Sequence, residues 1–221
     1  GGRYSILSEV GMVPAYLMGL NIQRFRKNLL NHFKNKKFLK DSSIMLTNLL
    51  KSNKFKNLIF FNYIPKLDKF LYWNQQLIAE SLGKQGKGFL PLISKAPRDH
   101  HSLLQLYLDG PKDKIFYIFS EEKSNNKKIK IKKLDKKLNF LQNKSLHQVK
   151  NAQKNAFIAA LKKNNIPFRE FKIRDFSENI LGEFFSYFML ETAIIGKLAN
   201  INPFDQPAVQ QVKINTKELL V

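Results

Sequence analysis

The sequence predicts an α/β fold with a parallel sheet, and two observations lead to this prediction. Three short, mostly apolar runs have the character of buried strands, at 58–63, 114–120 and 168–173. Helical segments of ten or more residues separate these runs, as in the right-handed βαβ crossovers of a parallel sheet. With 221 residues, 43% of them hydrophobic, the chain is also long enough to bury the core of a large domain.

Helical patterns account for most of the chain outside these strands. They are predicted at 10–20, 22–35, 41–53, 67–83, 101–108, 141–164, 178–198 and from Pro207 into the tail. We expect Asp41 or Ser42 to cap the third of these helices, because both are good N-cap residues before an apolar-periodic run. Residues 88–97 are predicted to form a loop that includes a short strand. The helix at 178–198 is apolar nearly all round, which indicates burial on both sides.

The net charge of +21 suggests a nucleic-acid partner, but the composition favours another explanation. Nearly all of the positive charge is lysine, and residues 123–137 alone hold eight lysines and one aspartate. Runs of this kind are usually solvated, so we expect no nucleic-acid partner. The chain has no cysteine, which excludes disulfides and thiolate chemistry and fits a cytoplasmic protein. No apolar run approaches the roughly 20 residues that span a bilayer, so no membrane association is predicted.

The predicted helix at 67–83 groups polar side chains along one face. Gln76, Glu80 and Lys84 stand four residues apart, beside an apolar stripe. One interpretation is an exposed ion pair, since glutamate followed by lysine at i and i+4 is a favourable order. The other is a functional carboxylate, since an anion near a helix C-terminus is poorly placed in the field of the helix dipole. The spacing alone leaves both interpretations open.

Two adjacent histidines in the sequence DHHS, residues 99–102, give a weaker signal. Neighbouring imidazoles cannot readily share one metal, and no carboxylate completes a ligand spacing, so no metal site is predicted. His101 begins a predicted helix, where it either forms hydrogen bonds to the helix start or transfers protons in a reaction. Arg3, which follows two glycines, and Lys213, on the tail helix, carry little signal by themselves.

Four motifs in a fixed order resemble one family. They are GGRYSILSEVG, QQLIAESLGKQGKG, APRDHHSLLQLYLDGP and NPFDQPAVQQVK, and they extend from residue 1 to about residue 213. In this order they resemble the C-terminal half of the glucose-6-phosphate isomerase (phosphoglucose isomerase) family. The resemblance implies sugar-isomerase (SIS) domains, each a three-layer α/β unit with helices on both sides of a parallel sheet. It divides the chain into a helical segment leading from an upstream SIS domain (1–55), the second SIS domain (56–200), and a C-terminal loop and helix (201–221).

The resemblance also implies a reaction, the interconversion of glucose 6-phosphate and fructose 6-phosphate through a cis-enediolate, without metal or cofactor. Glu80, in the Glu-Ser-x-Gly-Lys motif, would be the base that moves a proton between C2 and C1, and Gln76 would help to hold the substrate. Arg3, in the Gly-Gly-Arg-aromatic-Ser motif, would stabilise the enediolate. The chemistry needs a carboxylate base and a fixed positive charge, and these residues supply one of each.

Three further residues receive roles from the resemblance alone. His101 would assist opening of the sugar ring, and would reach the site of the neighbouring subunit in a homodimer. Gln206 and Lys213 would contact the sugar and its ring oxygen. The resemblance assigns no role to Lys84 or His100.

The resemblance also concerns the substrate phosphate. In the family, a Ser/Thr-rich loop of the first SIS domain holds this phosphate, and no equivalent loop occurs in the 221 residues. We therefore expect a fragment of an isomerase of glycolysis and gluconeogenesis that has little or no activity alone and whose partner is a sugar phosphate. The alternative is a non-catalytic SIS module that binds a phosphosugar as a regulator.

Overall fold

A computed structural model of the chain describes residues 2–34, 36–122, 128 and 136–220. The lysine-rich segment 123–137 therefore lies almost entirely outside the described residues. The helices and strands follow in the order α1 (Glu9–Leu17), α2 (Ile22–Arg26), α3 (Asn31–Lys34), α4 (Lys36–Lys51), β1 (Asn57–Asn62), α5 (Asp68–Leu82), β2 (Leu90–Lys95), α6 (Asp99–Ser102), α7 (Leu104–Asp109), β3 (Lys114–Glu121), α8 (Leu146–Lys163), β4 (Phe168–Ile173), α9 (Glu178–Leu198) and α10 (Pro207–Leu219).

The described strands form one sheet in the order β2-β1-β3-β4. Pairing is parallel between β1 and β3, where Leu58 lies opposite Ile115, and between β3 and β4, where Phe119 lies opposite Phe171. Since the strands are separated along the chain by helices, this is the predicted α/β class, which is confirmed. All three predicted strands are present, and the short strand predicted within 88–97 is β2, at the edge of the sheet.

The chain divides into two compact units. The first comprises Gly1–Lys56, Tyr72–Pro91 and Phe176–Val221, and the second comprises Asn57–Leu71 and Leu92–Asp175. The predicted division into SIS domains stays a prediction, and the first unit runs across its boundary at 200/201.

The core of the second unit lies against one face of the sheet. It is an aromatic and aliphatic cluster in which alternate residues of β1 meet side chains of α7 and α8. Its members are Ile59, Phe61, Tyr63, Tyr107, Phe116, Ile118, Phe157, Leu161 and Ile166. The rings of Phe61 and Phe157 have centroids only 4.6 Å apart. The alternation follows from the two-residue period of a strand, which sends every second side chain to the same face.

Helix α9 organises the first unit, with α2 and α4 packed against it. Gly182 lets α2 approach closely, because a Cβ at this position would lie 2.0 Å from the carbonyl oxygen of Phe25. Between α4 and α9, the buried carboxylate of Glu191 accepts hydrogen bonds from the hydroxyls of Ser42 and Tyr187. α9 is the long apolar helix predicted at 178–198, and it begins and ends at the predicted residues.

The predicted helix at 22–35 is wrong in its middle, because the chain turns at residues 27–30 between α2 and α3. The side-chain amides of Asn28 and Asn31 both donate to the Glu183 carboxylate, at 3.1 and 3.4 Å. His32 contacts the main-chain oxygen of Glu183 at 3.0 Å. Hydrogen bonds to α9 thus fix a local conformation that helical propensity alone does not favour.

Other predicted helix starts also need correction. α4 begins at Lys36, so Asp41 and Ser42 lie inside the helix and neither is its N-cap. The helix predicted at 141–164 begins at Leu146, after the cap Ser145, which forms a capping box with Gln148. The helix predicted at 101–108 is divided into α6 and α7 at Leu103, whose backbone leaves the helical region.

Candidate active site

Helix α5 presents Glu80 at its last turn. Leu77 and Ser81, on either side of it in the sequence, are fully buried, which fixes the rotation of the helix. The Glu80 side chain is 27% exposed, so it stands between the interior and solvent. This position lets a carboxylate meet buried donors on one side while staying accessible on the other.

Arg3 is the main partner of this carboxylate, and it is only 1% exposed. Its Nη1 lies 3.0 Å from Glu80 Oε2, and its Nε donates to Ser81 Oγ, also at 3.0 Å. Its Nη2 donates to the main-chain oxygens of Pro203 and Asp205, at 2.9 and 3.0 Å. Four of the five N–H groups of the guanidinium are used in these bonds among described residues, and the fifth belongs to Nη1.

Two glutamine amides complete the surroundings of the Glu80 carboxylate. Gln76 Nε2 donates to Oε1 at 3.0 Å, and Gln206 Nε2 donates to Oε2 at 2.8 Å. Four of the six predicted site residues, which come from three distant parts of the chain, are therefore in direct contact. Glu80 thus does not form the exposed ion pair with Lys84 that the helical spacing allowed.

Aromatic residues hold the main chain around Arg3. The indole Nε1 of Trp73, on α5, donates to the Arg3 carbonyl oxygen at 3.0 Å, and the Trp73 ring packs on Phe185 with centroids 4.6 Å apart. The Tyr4 hydroxyl donates to Ser81 Oγ at 3.0 Å, and burial raises the pKa of this phenol. These contacts hold the turn at residues 2–4 against α5 and α9.

Lys84 binds the segment that precedes α10. Its Nζ donates to the carbonyl oxygen of Asn202 and to Asp205 Oδ1, the latter at 2.7 Å. The hydrogen bond from Lys84 lowers the pKa of the Asp205 carboxyl, and the positive charge adds to this effect. The resemblance assigns no role to Lys84, but in the structure Lys84 joins the end of α5 to the segment that carries Gln206.

A cleft of about 660 Å³ opens beside Glu80. This volume lies within the range of small-molecule sites, about 300–1,000 Å³. The cleft is lined by the end of α5, the glycine-rich segment after it, and the start of α10. The lining residues are Ala79, Glu80, Gly83, Lys84, Gln85, Gly86, Lys87, Asn202, Asp205, Gln206, Pro207, Ala208 and Val209.

Two predicted site residues lie apart from this cluster. Lys213 is exposed on α10, about two helical turns beyond Gln206, and does not line the cleft. His101 is exposed on α6, in the second unit. Their predicted roles stay predictions.

The sequence allows His101 to be a hydrogen-bonding residue at the start of a helix. In the structure, two neighbouring residues make the hydrogen bonds in this region. His100 contacts the Tyr63 hydroxyl at 2.6 Å and meets the Phe61 ring edge-on, and burial lowers the pKa of the His100 imidazole. Asp99 accepts hydrogen bonds from Ser94 and Lys95 at the end of β2, and from Arg98 and Ser102 at the start of α6. Burial alone would raise the pKa of Asp99, but these hydrogen bonds lower it to about 2. The hydrogen bonder at the helix start is therefore Asp99.

The described residues offer no group of three or more histidine, aspartate or glutamate side chains that could hold a metal ion. In the same residues, no helix has both the length and the apolar character that crossing a membrane requires. The described residues that line the cleft carry two carboxylates, two ammonium groups and three side-chain amides: those of Glu80 and Asp205, of Lys84 and Lys87, and of Gln85, Asn202 and Gln206.

The chain is an α/β protein with a polar cleft beside a carboxylate that is paired with a buried arginine, and solved structures share its fold. A hypothetical protein from Thermus thermophilus superimposes with a TM-score of 0.85 at 24% identity, covering 100% of this chain and 55% of the other. A glucose-6-phosphate isomerase from Chlamydia trachomatis superimposes with a TM-score of 0.78 at 18% identity, covering 100% and 47%. At these identities the likeness establishes the fold.

Sequence relatives identify the family. A glucose-6-phosphate isomerase from Mycoplasmopsis pulmonis is 35% identical over all of this chain and 53% of its own length. A probable glucose-6-phosphate isomerase from Methanococcus maripaludis is 33% identical over all of this chain and 51% of its own length. No protein-family model matches the chain. The chain belongs to the glucose-6-phosphate isomerase family, and it spans about half the length of the curated relatives it matches.

Proposed function

We propose that the chain carries the catalytic base of a glucose-6-phosphate isomerase, an enzyme of glycolysis and gluconeogenesis. One observation carries the proposal: the Glu80 carboxylate borders a cleft of substrate size and is held there by Arg3, Gln76 and Gln206. The names of the sequence relatives support the same activity.

The reaction moves a proton between adjacent carbons. In the aldose, Glu80 removes the proton from C2, the C2–H electron pair forms the carbon–carbon double bond, and the carbonyl oxygen at C1 becomes an oxyanion. The proton of the C2 hydroxyl passes to the C1 oxyanion, the protonated Glu80 returns its proton to C1, and the C2 oxygen becomes the ketose carbonyl. One carboxylate serves both half-reactions, so atoms and charges balance without a redox step.

The surroundings of Glu80 suit this chemistry. Arg3 places a buried positive charge beside the carboxylate, and one N–H of its Nη1 lies outside the four bonds described above. A fixed cation stabilises an enediolate strongly because the buried guanidinium needs no reorganisation as the charge develops. Gln76 and Gln206 keep the carboxylate oriented toward the cleft, and Gln206 would also contact the sugar.

The remaining parts of the proposal extend beyond the cleft. His101 would assist ring opening in the site of a neighbouring subunit of a homodimer, Lys213 would contact the sugar ring oxygen, and residues of an SIS domain outside the 221 would hold the substrate phosphate. The protein would act in the cytoplasm. The fragment alone would therefore turn over little sugar phosphate.

The proposal can be tested by restoring the other half. The chain is expressed alone and as a chimera in which it replaces the matching half of the M. pulmonis isomerase, and conversion of fructose 6-phosphate to glucose 6-phosphate is followed. We expect little conversion by the chain alone and clear conversion by the chimera. A folded chimera that binds the sugar phosphate without converting it would contradict the proposal and favour a phosphosugar-binding regulator.

A further inference from the structure

The segment Asn202–Gln206 brings Gln206 to the Glu80 carboxylate, and two cations hold this segment. Arg3 donates to the main-chain oxygens of Pro203 and Asp205, and Lys84 donates to the main-chain oxygen of Asn202 and to the Asp205 side chain. Arg3 also contacts Glu80 directly, so its removal would change the base and the segment together. Lys84 contacts the segment without being a hydrogen-bond partner of Glu80 among the described residues, so its removal isolates the second effect.

We propose that Lys84 is a positioning residue of the active site, which fixes the segment 202–206 so that the Gln206 amide reaches Glu80. This inference rests on the proposed function for its kinetic consequence, but its structural part does not depend on any activity.

The burial of Lys84 distinguishes this contact from an ordinary surface ion pair. The Lys84 side chain is 11% exposed, whereas that of Asp205 is 51% exposed. An exposed pair contributes little and leaves the backbone unaffected when it is broken. Here the ammonium also binds a main-chain carbonyl 118 residues away, so its loss releases the backbone of the segment as well as the carboxylate.

Lys84 does not contact Glu80, but only two residues, Asp205 and Gln206, connect them. Lys84 holds Asp205, the next residue is Gln206, and the Gln206 amide lies 2.8 Å from Glu80 Oε2. A displacement of the segment by about 1 Å would remove this hydrogen bond and turn the carboxylate away from its productive orientation. Misplacement of this size can reduce a catalytic rate by about 10²-fold.

The structural part is tested in the 221-residue chain by NMR. In Lys84→Met, we expect the Gln206 side-chain amide signals to shift toward those of a solvent-exposed amide. The backbone amides of Asn202, Phe204, Asp205 and Gln206 should exchange about tenfold faster, and the pKa of Asp205 should rise toward the usual value of an aspartate. Lys84→Arg should restore the parent Gln206 signals, because a guanidinium can serve both acceptors.

Two further variants show whether the changes are specific to the contact between Lys84 and the segment 202–206. Asp205→Asn removes the charge from the exposed side of the same pair and should reproduce the faster exchange. Lys87→Met removes a cation from the same cleft, but Lys87 contacts the carbonyl oxygen of Ala199 at 3.3 Å, outside the segment, and should leave the Gln206 signals unchanged. Unchanged Gln206 signals in Lys84→Met would overturn the proposal.

The kinetic part uses the active chimera with the other half of the M. pulmonis isomerase. Lys84→Met should lower kcat by 10- to 100-fold while KM changes less than threefold, because the base is misoriented and the phosphate contacts are intact. A parent kcat in the presence of the NMR changes would overturn the kinetic consequence proposed for Lys84. Inactivity of the parent chimera would instead contradict the proposed function, and the NMR result would then decide the positioning role by itself.

Discussion

Arg3 is a charged residue whose burial depends on its partners. An arginine is almost never fully buried unless its guanidinium is paired. In the structure it is 1% exposed, and its guanidinium reaches Glu80, Ser81 and two main-chain oxygens of the segment 202–206. Arginine suits this role because its planar fork of five donors can join several acceptors that a lysine could not reach together.

His100 should make the stability of the protein depend on pH. Burial lowers its pKa, so the unfolded chain, with an ordinary value of about 6.5, binds the proton more readily than the folded protein does. The stabilisation is therefore fully present above pH 6.5 and is lost as the pH falls below it. Comparing urea unfolding at pH 7.5 and 5.5, we expect the parent to lose more stability on acidification than His100→Gln, which can still bond to Tyr63 but does not titrate.

His101→Gln is the matched control for this experiment. It removes the neighbouring, exposed imidazole from the same helix and leaves His100 in place, so it should keep the pH dependence of the parent. Asp99, with a pKa of about 2, titrates far below the measured range. An equal loss of stability in His100→Gln and the parent would contradict the assignment to His100.

The sequence predicted part of the site from local spacing and part from an ordered resemblance. Helical periodicity correctly placed Gln76 and Glu80 on one face, but it also allowed an ion pair with Lys84. That pair is absent because Arg3 and Asp205 are better placed partners, and both come from distant parts of the chain. Contacts over 77 and 121 residues are set by the fold and have no local signal.

Helix α9 illustrates how a single element is fixed by close packing. Gly182 lies where a side chain would collide with the main-chain oxygen of Phe25, at 2.0 Å from an added Cβ. A backbone oxygen cannot rotate away, so α2 and α9 would have to separate. The glycine therefore serves the contact between the two helices.

We accordingly expect Gly182→Ala to destabilise the protein. Alanine favours the helix by about 1 kcal/mol, but forcing a methyl group into a closed contact costs about 1–3 kcal/mol, and the rigid main-chain neighbour places this case at the upper end. Urea unfolding should show a net loss of about 1–2 kcal/mol. The exposed Lys197→Ala on the same helix should change the free energy of unfolding by less than about 0.5 kcal/mol. A Gly182→Ala variant as stable as the parent would show that the helices can separate without cost.

Elements with strong periodicity were predicted well, and helix boundaries were predicted poorly. The bounds of β4 and α9 agree with the sequence because their apolar patterns end at clear polar residues. The break between α2 and α3 depends on Glu183, more than 150 residues away, and could not be read locally. The capping box at Ser145 and Gln148 was different, since serine followed three residues later by glutamine is a local signal that would have located the start of α8.

The net charge of +21, which is the strongest signal in the composition, did not indicate the candidate site. The charge of +21 suggested nucleic acid, whereas the candidate site depends on one buried arginine and one partly exposed carboxylate. Composition reports on the average surface, and a catalytic site depends on a few side chains in fixed positions. The chain also spans about half the length of the curated relatives it matches.

Deuterium exchange shows directly whether Glu80 is the base. The chimera with the other half of the M. pulmonis isomerase is incubated with fructose 6-phosphate in D₂O, and deuterium at C1 and C2 is measured by NMR. Glu80→Gln should reduce incorporation at least 10²-fold, the usual contribution of a general base, whereas Glu218→Gln, an exposed carboxylate on α10, should match the parent. Deuterium incorporation by Glu80→Gln near the parent rate would show that Glu80 is not the base.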